Sequence, residues 1–513
     1  MNNFENGDYS NSMLSQKRGR ILKKNAQNIL DTQYGENTIS SNQNISSLNQ
    51  IDEPLNQNYE SNKKNSKKNR QKTEKDIQIY VMEDNQVVDN YQEEQEGYQY
   101  FNQQYQTFEE NYIKATKNIK LRKYDQAIQQ LNDLISVTSD SFQLAKAKTQ
   151  LGTLFQIIQK DDLAIELYTS SLQDNILNDK THLNIGILYL QKFLSNRQEN
   201  NKYVSNALNH LNQSIKLNPR NYEANFNIAR AFLEQNNQSQ AEVYLNKCIK
   251  IDSKNPNAYR VLAGIFHESK KFEKAKEFYI SAVKIRAIDT DYYNLGLVCM
   301  TMNNFIEAQQ FFIKCISINQ DYQSAYINLG LIHFMNNEYE EAEKYYLDAI
   351  SIDENSFEAL SNLGNLYFHK KLYEKAEELY IKAKQVDFQL YNSNQNAFLL
   401  LNLGRVQFEI QKFDDALKNL MNAFQLDQQL YFSLKIIADI YIIQNQSIKA
   451  EVFLEQYLNQ ESNDHDAYFK LANIQYKTLQ YAKANKNLNL CLKLKPNHAK
   501  ALQMQYELKN VIE

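Results

Sequence analysis

The sequence predicts an all-α chain of tandem helical hairpins, and three observations carry that prediction. The first is a shortage of turn residues: 11 Gly and 4 Pro in 513 residues. That leaves little material for sandwiches, barrels or Gly-rich phosphate loops. The second is a ladder of alanines at 127, 164, 207, 241, 275, 308, 342, 376, 416, 450 and 484, with steps of 37, 43, 34, 34, 33, 34, 34, 40, 34 and 34. The third is a small residue twelve positions before most rungs: Ala115, Gly152, Ala229, Ala263, Gly296, Gly330, Gly364, Gly404, Ala438 and Ala472. Gly186 stands 21 residues before Ala207 because of an insertion of nine residues. A recurring period of this length is the signature of a stacked repeat array.

Residues 1–107 lack this texture. Asn and Gln fill 29 of the first 100 positions, Ala26 is the lone alanine, and no apolar period persists. This composition predicts a disordered tail. Within it, residues 63–75 (KKNSKKNRQKTEK) hold seven Lys/Arg, which reads as a nuclear-import or anionic-surface signal or as a solvated, extended tail. Residues 76–113 contain no Lys or Arg but carry Tyr91, Tyr98, Tyr100, Phe101 and Tyr105 among acids. That block could cap the repeats or fold back onto them.

Apolar residues at helical spacing begin near residue 108. Units are expected at 108–141, 145–178, 179–221, 222–255, 256–288, 289–322, 323–356, 357–390, 397–430, 431–464 and 465–498, followed by a capping helix at 499–513. Interruptions at 195–201 and 391–396 suggest subdivision near residues 200 and 393.

Charge narrows the function classes. The formal balance is −4, with −3 in residues 1–107 and −1 in the remainder. A duplex nucleic-acid binder needs clustered Lys/Arg to displace counterions, so DNA is excluded as a partner. RNA is disfavoured because inner positions offer few cations, namely Arg230, Arg260 and Arg405. No apolar run of about 18 residues is present, so no membrane insertion is expected. The four Cys and the absence of a leader pattern fit a cytoplasmic, reducing setting.

No catalytic constellation emerges. Cys248, Cys315 and Cys491 fall at the repeat position that Ala282, Ala349 and Ala383 hold elsewhere, which suits a small core residue. The seven His show neither HxxxH nor HExxH spacing. No repeat Gly precedes a Lys-Ser/Thr pair, and no GxSxG elbow occurs. The expectation is a non-enzymatic chain with no cofactor and no metal.

The 34-residue pattern resembles the tetratricopeptide repeat, most clearly in residues 323–356 (QSAYINLGLIHFMNNEYEEAEKYYLDAISIDENS). There Tyr326, Leu329-Gly330, Ala342, Tyr346 and Ala349 occupy the positions that define the motif, while His333 replaces the usual Tyr. The first unit is weakest, with Asn111 and Lys114 where an aromatic and a Leu are wanted. The resemblance implies a right-handed α-solenoid whose first helices line a concave groove.

Two positions before the Gly/Ala site stand Asn184, Asn227, Asn294, Asn328, Asn362 and Asn402. This ladder is similar to the inner groove of the repeat half of the O-linked N-acetylglucosamine transferases. Side-chain amides both donate and accept, so they can hold an extended peptide backbone. Leu190, Leu233, His267, Met300, Phe334, Phe368 and Phe408 follow the Gly/Ala site by four. Leu183, Phe226, Tyr293, Ile327 and Leu401 precede it by three. The expected ligand is therefore a protein or peptide with apolar anchors. The Lys/Asn clamp for chaperone-tail carboxylates is missing, since Ser361, Phe432, Ile436 and Phe469 stand at its positions.

The sequence thus points to an interaction scaffold or adaptor. The alternative is a regulatory or substrate-recruiting subunit of a multi-protein enzyme or a ciliary trafficking complex. Cytoskeletal or ciliary association would follow from the latter, and nuclear entry from the basic block.

Overall fold

The computed structural model describes residues 105–195, 201–386 and 393–512. The expected tail, its basic block and most of its acidic block lie outside the described residues, as do residues 196–200 of the first interruption and 391–392 of the second, whose remainder, 393–396, begins a helix. Within them the secondary structure is helical: α1 (105–120), α2 (Tyr124–Val137), α3 (Ser141–Ile157), α4 (Asp161–Asp174), α5 (Asp179–Ser195), α6 (Asn201–Leu217), α7 (Tyr222–Glu234), α8 (Gln238–Ile251), α9 (Asn257–Glu268), α10 (Phe272–Ile285), α11 (Asp289–Thr301), α12 (Phe305–Ile318), α13 (Gln323–Met335), α14 (Tyr339–Ile352), α15 (Phe357–His369), α16 (Tyr373–Gln385), α17 (Ser393–Glu409), α18 (Phe413–Leu426), α19 (Phe432–Ile443), α20 (Ser447–Gln460), α21 (His465–Lys477), α22 (Tyr481–Leu494) and α23 (Ala499–Ile512). Consecutive odd and even helices pair into hairpins, and α23 closes the array.

The turn inside a hairpin repeats one geometry. Arg122, Gln159, Asn236, Lys270, Asn303, Asn337, Lys371, Gln411, Asn445 and Leu479 each take a positive φ, between 57° and 62°. In the turn after α13, Asn337 N–H donates to Phe334 O at 3.1 Å and Glu338 N–H donates to His333 O at 2.9 Å. Those bonds satisfy carbonyls that the end of α13 would otherwise orphan. The Gly shortage therefore reflects filling of the left-handed position by other residue types.

The two helices of a hairpin bury different faces. Second helices bury a single stripe at the Ala rung and four and seven residues beyond it, as in Ala308, Phe312 and Cys315, or Ala342, Tyr346 and Ala349. First helices are buried almost all round, as in the unbroken run Tyr293–Met300 of α11. Such a helix belongs to the inside of the assembly. Successive first helices also touch one another, α13 with α15, α15 with α17 and α17 with α19. Second helices of neighbouring hairpins barely meet. Within the second unit the hairpins therefore pack more tightly on the side of the first helices.

Six glycines mark where the paired helices approach. A Cβ on Gly152, Gly186, Gly296, Gly330, Gly364 or Gly404 would fall within 2.7 Å of Tyr168, Leu211, Phe312, Tyr346, Tyr380 or Leu420 respectively. These large residues do two things. They lie on the glycine of their own hairpin while also meeting the next, as Tyr346 meets Leu363 and Leu366.

The first hairpin, weak by sequence, packs Phe108, Ala115 and Ile119 against Ala127, Leu131 and Leu134. At the other end, α23 inserts Ala501 and Leu508 between Ala472, Ala484, Leu488 and Cys491. The chain divides into two compact units at Ala287/Ile288, not near residues 200 and 393. The helices flanking both interruptions stay packed. Leu190 and Phe193 meet Val204 and Ala207, and Tyr380 and Ala383 meet Leu399, Leu403 and Val406.

Candidate functional site

The inner surface of the second unit is built from α11, α13, α15, α17, α19 and α21. Its chemistry depends on which side chains escape the tight spacing of these helices.

The Asn row largely does not. Asn227, Asn294, Asn328 and Asn362 are 5–8% exposed, and Asn184 and Asn402 are half-buried. Most of these amides are committed internally. Asn184 Nδ2 donates to Tyr168 Oη at 3.3 Å. Asn227 Nδ2 donates to Glu223 O at 2.9 Å while Arg230 Nη1 donates to Asn227 Oδ1 at 3.0 Å. Asn328 Nδ2 donates to Ser324 O at 2.8 Å and Tyr293 Oη at 3.2 Å. Asn402 Nδ2 donates to Asn365 Oδ1 at 2.9 Å. A buried amide left unpaired would cost about 1–3 kcal/mol, so close helices enforce such bonds. Asn294 differs: its side chain makes no hydrogen bond to any described residue.

Tyr293, expected to face the groove, is buried between Phe312 and Tyr322, with ring centroids 5.7 and 4.9 Å away. This corrects its assignment to the surface, because the neighbouring hairpin covers the position. Ile327, Phe334, Phe368 and Phe408 remain partly exposed. The last three share one register, and each leans on the aromatic that opens its second helix: Phe334 on Tyr339 at 6.0 Å, Phe368 on Tyr373 at 5.6 Å and Phe408 on Phe413 at 6.3 Å. The result is a row of braced aromatic side chains along the inner edge.

Sequence reasoning named Arg405 as an inner cation but assigned no binding role to its register, one residue after the Gly/Ala site. There the second unit presents Asn365, Arg405, Asp439 and Asn473 on successive hairpins. Arg405 stacks on Phe368, its Cζ 4.7 Å from the ring centroid. It makes no hydrogen bond or ion pair with any described residue. Burial pushes its pKa below the usual guanidinium value, against the pull of Tyr380, Glu409 and Tyr373. Asp439, by contrast, accepts from Lys470 Nζ at 2.9 and 3.1 Å, and Lys470 also pairs with Asp466 at 3.0 Å. The Asp439–Lys470 pair lines one side of an open cavity of about 300 Å³, with Phe408, Ile442, Ile443 and Ile474 on its apolar side and Asn445, Ser447, Asn473 and Lys477 also lining it. The signal available in the sequence was a polar residue recurring at one inner register.

Elsewhere, His182 Nδ1 lies 3.1 Å from His210 Nδ1, and burial pushes the His210 pKa down to about 4. No group of three metal-ligating side chains occurs among the described residues. No helix among them is long and apolar enough to cross a membrane.

Tetratricopeptide-repeat family models match residues 222–255, 292–322, 324–356, 355–429 and 466–498. Solved structures similar to this chain include YrrB, a TPR protein with an unusual peptide-binding site, at 22% identity, 38% of this chain, 97% of that one and a TM-score of 0.35. Another is the APC/C hetero-tetramer Cut9–Hcn1, at 16% identity, 78% and 83% coverage and a TM-score of 0.37. A third is Pseudomonas aeruginosa pilF, at 18% identity, 45% and 97% coverage and a TM-score of 0.36. Likenesses at this level carry no functional argument. No curated protein matches the chain.

Proposed function

We propose that this chain, a tetratricopeptide-repeat protein, works as an interaction scaffold whose inner surface, in the second unit, holds a peptide or partner segment. The observation that carries the reading is the aromatic row. Phe334, Phe368 and Phe408 sit at one register on consecutive hairpins, partly exposed, and each is braced from behind. Rigid aromatic side chains give contact area at small entropic cost, which is how a few residues come to dominate an interface. Asn294 adds an unspent amide beside the row. Asn184, Asn328 and Asn402 bond across to a neighbouring helix, whereas Asn227 bonds within its own, so these amides support the inner surface rather than lining it.

Site-specific photocrosslinking tests this reading. Benzoylphenylalanine at position 368 should capture partners in cell extract, whereas the same group at Leu347 on the second-helix side should not. Capture at 347 alone would reject the groove.

A second reading has its own observation. Ile313, Leu347, Ile381 and Met421 are exposed at one register of four successive second helices. Regular outer apolar positions suit a subunit that also packs within a larger complex.

A further inference from the structure

The groove reading leaves open what the ligand must look like, and the neighbourhood of Arg405 narrows it. Resting on that reading, we infer that the bound segment carries a carboxylate side chain that pairs with Arg405 and, beside it, an apolar side chain that enters the cavity walled by Phe408. Apart from exposed Lys477 at the cavity, the nearby lysines are already paired. Asp439 is held by Lys470, and Lys470 also takes Asp466. Lys435 takes Asp464 at 2.6 Å, and Lys412 takes Glu377 at 2.6 Å. Unlike Lys470, Lys435 and Lys412, Arg405 stands without an anion among the described residues. Glu409, one turn on, is exposed and makes no ion pair with it.

A guanidinium is planar, so its forked donors lie in one plane, and one held over an aromatic face loses less freedom on pairing. Its natural partner is a planar, bidentate oxyanion. A carboxylate fits better than a phosphate. A phosphate brings close to two negative charges and is usually met by several cations, whereas this place offers one guanidinium with Glu409 nearby.

The apolar half follows from position. Arg405 and Phe408 are three residues apart on α17 and so share a face. The open cavity beyond Phe408, about 300 Å³, has an apolar side formed by Phe408, Ile442, Ile443 and Ile474 and a polar side that includes the Asp439–Lys470 pair, and it lies at the small end of ligand sites. It has room for one large side chain.

The test uses the full chain and a phage-displayed library of random dodecapeptides. Selected peptides should place Asp or Glu close to Leu, Phe or Trp. With the best one synthesised, changing its acid to the amide should weaken binding to wild type about tenfold. Arg405→Gln should weaken the acidic peptide by the same factor, and the two changes together should do no further harm. Arg405→Lys should restore part of the loss, which separates charge from folding, and circular dichroism should match throughout. Peptides that lose binding in Phe408→Ala, show no acidic preference and ignore Arg405→Gln would overturn the inference and leave the groove intact. A phosphoserine peptide more than tenfold tighter than its acidic counterpart would also overturn it. Selected peptides indifferent to Phe334→Ala, Phe368→Ala and Phe408→Ala would overturn the groove reading itself.

Discussion

A methyl group placed on Gly330 would lie 2.6 Å from Tyr346 Cε1, closer than two carbon atoms can pack. The glycine at this inner-helix site and the large residue on the facing helix are therefore one unit. Where the site is Ala, as at 115, 229, 438 and 472, the residue sixteen positions on is the smaller Leu131, Leu245, Leu454 and Leu488. Ala263 with Tyr279, where Gly264 follows directly, departs from this pairing in one direction, and Gly186 with Leu211 and Gly404 with Leu420 depart from it in the other.

Gly330→Ala should destabilise the second unit by about 1–3 kcal/mol through overpacking. Gly330→Ala with Tyr346→Leu should recover part of that loss by copying the Ala/Leu pairs. Gly264→Ala, whose nearest new contact is 4.0 Å away, should instead stabilise by roughly 0.5–1 kcal/mol through helix propensity. Urea unfolding of the three variants measures all of this, and equal effects at 264 and 330 would contradict the pairing.

Leu479 holds φ at 62° in the turn between α21 and α22 while 70% exposed. A left-handed conformation costs a branched side chain about 1 kcal/mol, and little packing would be lost on removal. Leu479→Gly should therefore raise the melting temperature of the C-terminal hairpins, readable by thermal unfolding.

His267 occupies the register that Phe334, Phe368 and Phe408 fill elsewhere, and its buried Nε2 finds no partner. Burial pushes its pKa down to about 4, below about 6.5 for an unfolded histidine. The unfolded chain then binds more protons between those values, so stability should hold above pH 6.5 and fall as pH drops toward 4. His267→Phe should stabilise at neutral pH and shrink the acid-dependent loss. An unchanged pH profile would show that His210, also depressed to about 4, dominates the acid response.

All four cysteines are buried, and burial pushes the Cys248 and Cys315 thiols up to about 12. Thiolate is the reactive form, so a maleimide should label the native chain negligibly and all four positions in denaturant. Fast native labelling would refute their place at the core rungs.

The repeat was legible because its cause is local. A helix pair needs its small and large residues at fixed intervals whatever surrounds it, so Ala342, Tyr346 and Cys315 could be placed from spacing alone. The first hairpin was harder to read because Phe108, Ile119 and Leu134 fill the core in place of the motif residues. The fate of the amides was not legible. Whether Asn328 faces a ligand or Tyr293 depends on how closely two hairpins approach, which no single unit encodes. Arg405 was visible as a cation, but its lack of an anion is a property of neighbours such as Lys470, which had already taken Asp439. The boundary at Ala287/Ile288 was missed because an inserted loop draws the eye, although helices on both sides of such a loop can stay packed.

The most direct measurement compares the partners recovered by affinity purification and mass spectrometry. The baits are wild type, Phe368→Ala/Phe408→Ala on the inner surface and Ile313→Ser/Leu347→Ser on the outer stripe, matched for helicity. Specific partners lost from the inner variant and kept by the outer one are the predicted result. Partners kept by the inner variant and lost from the outer one would contradict the groove as the working surface.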